Sequence, residues 1–240
     1  MRPRFIWAFA RFNGISWIKS SPWSIVANVV SPLSLLLIIT FLSAGKLVSY
    51  AVVGGTIAIV ASTTLTATGQ SALFRLEFKI QDLLVSTRIS MIDYMLAFAL
   101  ADIVFASPGL TFFIIMSLFL HLLTPLRLLA TIVVVVLLAL ATTSIAILAG
   151  SRIKRTIGMW AISGIISSVF TLIPPTFYPY TVLPKPLLYL FAISPITSAA
   201  VTLQGVYGLG PVDSIMFPLL IAEAAFYILM VRLLGRWREK

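Results

Sequence analysis

The residues of this chain that could do chemistry are few. Two carboxylates, Asp102 and Glu223, lie inside long apolar runs with no basic residue near either in the sequence to pair with it. Such a group is costly in hydrocarbon, so it faces a bundle interior or a polar path. Two readings stay open for both: a polar contact or proton site on a substrate path, or structural bonding to nearby hydroxyls. The run 48–70 holds Gly54, Gly55, Thr56, Ala58, Ser62, Thr63, Thr64, Thr66 and Thr68. Small faces let helices approach closely, and hydroxyls bond across helices or line a polar path; packing accounts for most of them. Covalent catalysis has little to work with. The single histidine, His121, has no His-x-x-x-His spacing and no convincing Ser/His/Asp set around it. Cysteine is absent, which removes disulfides, thiol chemistry and cysteine-based metal sites. No catalytic residue and no metal ligand is expected.

The elements that carry these residues follow from composition. Hydrophobic residues make up 60% of the 240 and charged residues 10%, against about 45–50% and about 25% in a soluble domain. Apolar runs at 22–44, 48–70, 91–122, 128–150, 158–174 and 214–233 reach or approach the ~20 residues a bilayer core demands. The fold class expected is therefore an all-α integral membrane protein, 1–240 forming one transmembrane domain of six spans. The net charge of +10 is not a nucleic-acid footprint, because the basic residues alternate between the spans. Arg2, Arg4, Arg11, Lys19, Arg75, Lys79, Arg88, Arg152, Lys154, Arg155, Arg232, Arg236, Arg238 and Lys240 fall in one set of segments, and Lys46, Arg127 and Lys185 in the other. The positive-inside rule then places both termini in the cytoplasm. No small-residue cleavage site follows the first apolar run, so a cleavable signal peptide is not expected.

Between and before the spans, four features stand out. Residues 4–18 place Phe5, Phe9 and Phe12 on one helical face and Arg4 and Arg11 on another, as an interfacial helix does. Ser21-Pro22-Trp23 reads as a cap, a helix start and an interface anchor. Ser107-Pro108-Gly109 predicts a kink or break in the third span. Ser194-Pro195 divides apolar residues 186–205 into two short helices dipping into the outer leaflet.

Residues 73–90 form the most detailed loop. Read as a helix, Leu73, Leu76, Ile80, Leu83 and Leu84 make one apolar stripe. Arg75, Lys79 and Asp82 make a charged ridge, and Phe74, Phe78 and Val85 a second apolar ridge. One apolar face suffices to lie against the protein's own bundle, so the second points to a partner, the alternative being that both faces bury within the bundle.

The run LFRLEFKIQDLLVSTRISMIDYMLA, residues 73–97, resembles the first cytoplasmic loop of type-two ABC exporter permeases. Leu83-Leu84-Val85-Ser86-Thr87 matches the turn that ends that loop, and Asp93-Tyr94-Met95-Leu96 the start of the next span. The run TVLPKPLLYLFAISPITSAAVTLQGVYG, residues 181–208, resembles the family's outer landmark, a Leu-Pro followed by a break before the last span. Phe78 stands where the family usually has glycine, and Thr87 where it commonly has proline.

The resemblance implies a transport subunit rather than an enzyme: a permease in the cell membrane that pairs with itself or a similar chain. It also implies a separate ATPase subunit that holds the ATP and Mg. In agreement, no G-x-x-x-x-G-K-[S/T] phosphate loop is present, since Gly45-Lys46 is followed by Leu47. By the same resemblance, the second and fifth spans line the pathway, with Ser62, Thr63, Thr66, Ser163, Ser167, Ser168 and Thr171 as its hydroxyls. Phe74, Arg75, Glu77, Phe78, Lys79 and Asp82 form a coupling helix docked on the ATPase. The rival is an ion-coupled secondary carrier using Asp102 and Glu223; inverted repeats would favour it, and none is evident.

Overall fold

The computed structural model describes residues 2–20, 22–87 and 89–235. Ser21 of the expected cap, Arg88, Arg236, Arg238 and Lys240 lie outside those residues. Every regular element among the described residues is helical. Helix α1 (Pro3–Ala10) passes through a π-turn (Arg11–Ile15) into α2 (Ser16–Ser20) and is followed by α3 (Pro22–Leu42). Then come α4 (Val48–Leu76), α5 (Ile80–Ser86), α6 (Met91–Phe119), α7 (Pro125–Gly150) and α8 (Met159–Leu172). The short α9 (Lys185–Phe191) and α10 (Pro195–Val206) precede α11 (Met216–Leu234).

Four helices are long and apolar enough to cross a membrane: α4, α6, α7 and α11. Two shorter apolar stretches, Val29–Leu42 and Met159–Leu172, accompany them. The 14 residues of α8 span about 21 Å at 1.5 Å per residue, short of the ~30 Å hydrocarbon core. Pro174-Pro175 stops it from running further, because proline offers no N–H and disfavours helix in the residue before it.

Helix α4 is the centre of the bundle, in contact with α3, α6, α7, α8 and α10. Its small residues let neighbours approach on nearly every side. At Gly54 the backbone of the segment around Thr176 comes so close that an added Cβ would lie 2.1 Å from the Thr176 carbonyl oxygen. The main core joins Ile57, Ile59, Val60 and Leu65 of α4 to Val134 and Leu138 of α7, Ile196 and Leu203 of α10, and Leu220 of α11.

The ends of the helices are fixed by polar bonds. Ser90 and Asp93 form a reciprocal capping box at the start of α6, and the second Asp93 oxygen accepts the backbone N–H of Arg2 at 3.1 Å. Thr124 caps α7, accepting from the Arg127 N–H at 3.3 Å. At the opposite end from Asp93, Gln204 is almost wholly buried. Its Nε2 donates to the carbonyls of Pro175 at 2.8 Å and Tyr178 at 3.0 Å, and its Oε1 accepts from the Tyr180 N–H at 3.1 Å. That one side chain holds segment 175–180 against α10. Burial and the Asp213 carboxylate push the Tyr180 phenol above its ordinary value, so it stays a neutral donor to the Pro211 carbonyl.

Three expectations are corrected. Of the expected kink or break, the break is absent: helix α6 is continuous through Pro108. The proline removes the N–H that would bond the Val104 carbonyl, and the Ser107 hydroxyl donates to that carbonyl at 2.7 Å instead. The aromatic face of 4–18 is divided. Phe9 is buried against Phe98, Tyr94 and Phe74, whereas Phe12 is exposed. The buried face passes from Phe9 and Ala10 to Asn13 and Gly14 through the π-turn, whose wider winding leaves Phe12 outside.

The third correction concerns 73–90, which is not one helix. α4 ends at Leu76, and Lys79 takes a left-handed conformation (φ 50°) before α5 begins. The elbow resets the helical phase, so Leu83 of the expected inner stripe is exposed while Gln81 is buried.

Candidate functional site

Two places bring the sequence-derived candidates together: a slot on α4 and the elbow between α4 and α5. From position 51 to 69, every residue of α4 is buried except Ser62 and Thr66. They are four apart, one turn of a helix, and so share a face. The central helix is thus uncovered along one hydroxylated line. A small cavity of about 90 Å³ opens beside it, between α3 and α8, lined by Ser31, Pro32, Leu35, Ala58, Ser62, Ser167, Ser168, Thr171 and Leu172. Four of the seven expected hydroxyls therefore meet at one cavity. The other three differ. Thr63 is buried and donates to the Ile59 carbonyl at 2.6 Å. Ser163 is buried and lies 3.4 Å from the carbonyls of both Leu65 and Thr66, fastening α8 to α4. Thr66 is exposed on the open line, outside the cavity lining.

Beyond the slot, α8 is uncovered: Trp160, Ile162, Ile165, Val169 and Leu172 are all exposed, and Leu172 also lines the cavity, so an apolar surface adjoins the hydroxyl line.

At the elbow, the six expected contact residues divide by burial. Phe74 is buried in an aromatic cluster, with its ring centroid 6.2 Å from Phe9 and 5.8 Å from Phe98. Arg75 reaches across to α7, donating to the Gly150 carbonyl at 3.3 Å and to that of Ile153. Phe74 is buried and Arg75 half-buried, and each fastens the end of α4 to the bundle. Glu77, Phe78, Lys79 and Asp82 are exposed. Phe78 rests one edge on Phe74, centroids 6.1 Å apart, and leaves 59% of its surface open.

The two membrane-depth acids are both buried. Glu223 faces Ser198 of α10, yet neither of its carboxyl oxygens nor the Ser198 hydroxyl makes a well-formed hydrogen bond. Asp102 on α6 likewise leaves one oxygen without a partner. One turn beyond Glu223, Tyr227 donates to the Ile193 carbonyl at 3.0 Å and ties α11 to the α9–α10 break.

Sequence reasoning missed two polar pins. Gln70 of α4 donates to Asn13 of the π-turn at 2.7 Å, and Gln204 holds segment 175–180 as described. The available signal was the rarity of amides in such apolar runs: Asn13, Gln70 and Gln204 each mark a polar bond between elements.

A family model described as "ABC-2 type transporter" matches residues 4–207 of the chain. A search of the curated proteins found no match. The match covers the π-turn, the central helix, the elbow, the slot and the α9–α10 pair.

Proposed function

This chain belongs to the ABC-2 type transporter family and is a permease component in a multi-pass membrane protein; on that premise we propose that it is the six-span subunit of an ATP-driven exporter, working as a dimer with a separate ATPase. In this reading α3 and α8 count as spans beside α4, α6, α7 and α11. The basic end is cytoplasmic, as are both termini, and the membrane is the cell membrane. ATP and Mg belong to the partner subunit, and nucleic acid plays no part.

The observation that carries the proposal is the open line of Ser62 and Thr66 on an otherwise buried helix. A chain this apolar has no reason to leave its central helix uncovered only where it is hydroxylated, unless something polar or amphipathic passes there. One copy supplies a single wall of such a path, and a second copy facing the exposed α8 surface closes it. The cargo chemistry that suits a hydroxyl line beside an apolar surface is an amphipathic molecule.

The ATPase docks on the elbow through Glu77, Phe78, Lys79 and Asp82, while Phe74 and Arg75 hold the elbow to the bundle from beneath. A half-exposed aromatic in cytoplasmic water costs about 1.5–3 kcal/mol relative to burial, and docking removes that cost. The left-handed turn at Lys79 makes the elbow a fixed corner, through which ATPase motion reaches α4 directly.

Because cysteine is absent, Thr66→Cys introduces a unique thiol. With the ATPase subunit present in lipid, oxidation should yield a disulfide-linked dimer, and transported cargo should slow its formation. Recovery of monomer alone would overturn the dimeric pathway.

A further inference from the structure

We infer that the loop between α7 and α8 is a binding site for the headgroup of an anionic phospholipid. The loop encloses an open pocket of about 530 Å³ lined by Arg152, Lys154 and Arg155 together with Ile153, Ile157 and Ile162. All three cations are exposed. None of their side chains makes a hydrogen bond or ion pair among the described residues. Segment 149–162 contains no acidic residue to balance them. Three like charges within four positions repel one another, and an anion in their midst replaces that repulsion by attraction.

Two other arginines near helix ends show the contrast. Arg75 is committed to the carbonyls of Gly150 and Ile153, and Arg127 to those of Leu122 and Val206. Arg75 also ties the start of the loop to α4 through those two carbonyls, which are thereby engaged, while the three loop cations remain free.

Charge alone would suit inorganic phosphate equally. The apolar neighbours decide for lipid. Ile157 is 91% exposed, and Trp160 and Ile162 follow it on the surface. Gly158, at φ 89°, turns the chain there from loop into α8, so the protruding Ile157, which lines the pocket together with Ile162, stands beside the cations at the start of the helix. A headgroup phosphate meets the three cations while its acyl chains cover Ile157, Trp160 and Ile162, an arrangement of basic and apolar groups that a free anion cannot satisfy.

The test reconstitutes the full chain in phosphatidylcholine nanodiscs containing a minor fraction of phosphatidylglycerol, and measures lipid retained on the protein by mass spectrometry. Wild type should retain phosphatidylglycerol above its bulk fraction, and inorganic phosphate should not displace it. Arg152→Gln, Lys154→Gln and Arg155→Gln should each lower that enrichment roughly 5-fold. Arg232→Gln, an exposed cation outside the pocket, should leave it unchanged, which separates a built site from general surface charge. Ile157→Ser should weaken retention of both lipids. The inference is overturned if the pocket variants keep wild-type enrichment, if Arg232→Gln lowers it equally, or if phosphate competes. It is also overturned if the pocket variants lose only ATPase co-purification, which would assign the loop to that subunit.

Discussion

Thr64 Oγ1 and Thr142 Oγ1 meet 2.6 Å apart in the bundle, joining α4 to α7. Both side chains are fully buried. Each hydroxyl also lies near its own helix, Thr64 2.8 Å from the Val60 carbonyl and Thr142 2.7 Å from that of Leu138. A hydroxyl has one proton, so one threonine bonds back to its helix while the other donates across the interface.

Thr64→Val or Thr142→Val should therefore each destabilise the permease by about 0.6–1.7 kcal/mol, the range of interhelical bonds in membranes. The double variant should cost clearly less than the two singles together, because the second change removes a group already left unpaired. Unfolding in mixed detergent measures all three. Strictly additive costs would show that the two hydroxyls do not interact.

Gly54 and Gly164 should respond oppositely to alanine. At Gly54 the new Cβ meets the Thr176 carbonyl at 2.1 Å, a backbone atom that can move only by shifting segment 175–180. A loss of about 1–3 kcal/mol is expected, read as a lowered Tm in detergent. At Gly164 no atom lies within 4 Å of the added Cβ, so the isolated subunit should gain up to ~1 kcal/mol from helix propensity. If Gly164→Ala instead weakens dimer crosslinking through Thr66→Cys, the second copy packs on that part of α8.

Phe74 and Phe78 are adjacent in the aromatic cluster but should fail in different assays. Phe74→Ala empties a buried site and should cost about 3–5 kcal/mol of stability. Phe78→Asp acts on a side chain that is mostly exposed; it should lower stability by no more than ~1 kcal/mol and release the ATPase in a pulldown. A Phe78→Asp permease that unfolds, with the surviving fraction still binding ATPase, would place Phe78 in the internal core.

Orientation is tested by labelling single cysteines with a membrane-impermeant reagent. Lys185 and Lys154 are both exposed, beyond opposite ends of the bundle. Lys185→Cys should label in intact cells and Lys154→Cys only after the membrane is opened. Labelling of position 154 from outside would invert the proposed topology.

By itself the sequence determined that this is a helical membrane protein. A chain that is 60% hydrophobic and 10% charged leaves no other solvent for its helices, and that inference needs only composition and run length. It also located the α9–α10 break at Ser194-Pro195, because proline acts on its own backbone and the residue before it. Where neighbours decide, the tertiary structure was needed. Pro108 carries the same local signal as Pro195, yet α6 continues through it because the Ser107 hydroxyl takes up the carbonyl left free. The run 73–90 has the period of one helix, but Lys79 turns left-handed between α4 and α5, so Phe74 stays buried on α4 while Leu83 of α5 faces outward. Seven hydroxyls looked alike in the sequence. Only the packing of α3 and α8 around α4 separated Ser163 and Thr63, buried against backbone carbonyls, from Ser62 and Thr66 on the open line. Helical period fixes which residues share a face; which face is covered depends on the elements that come to lie against it.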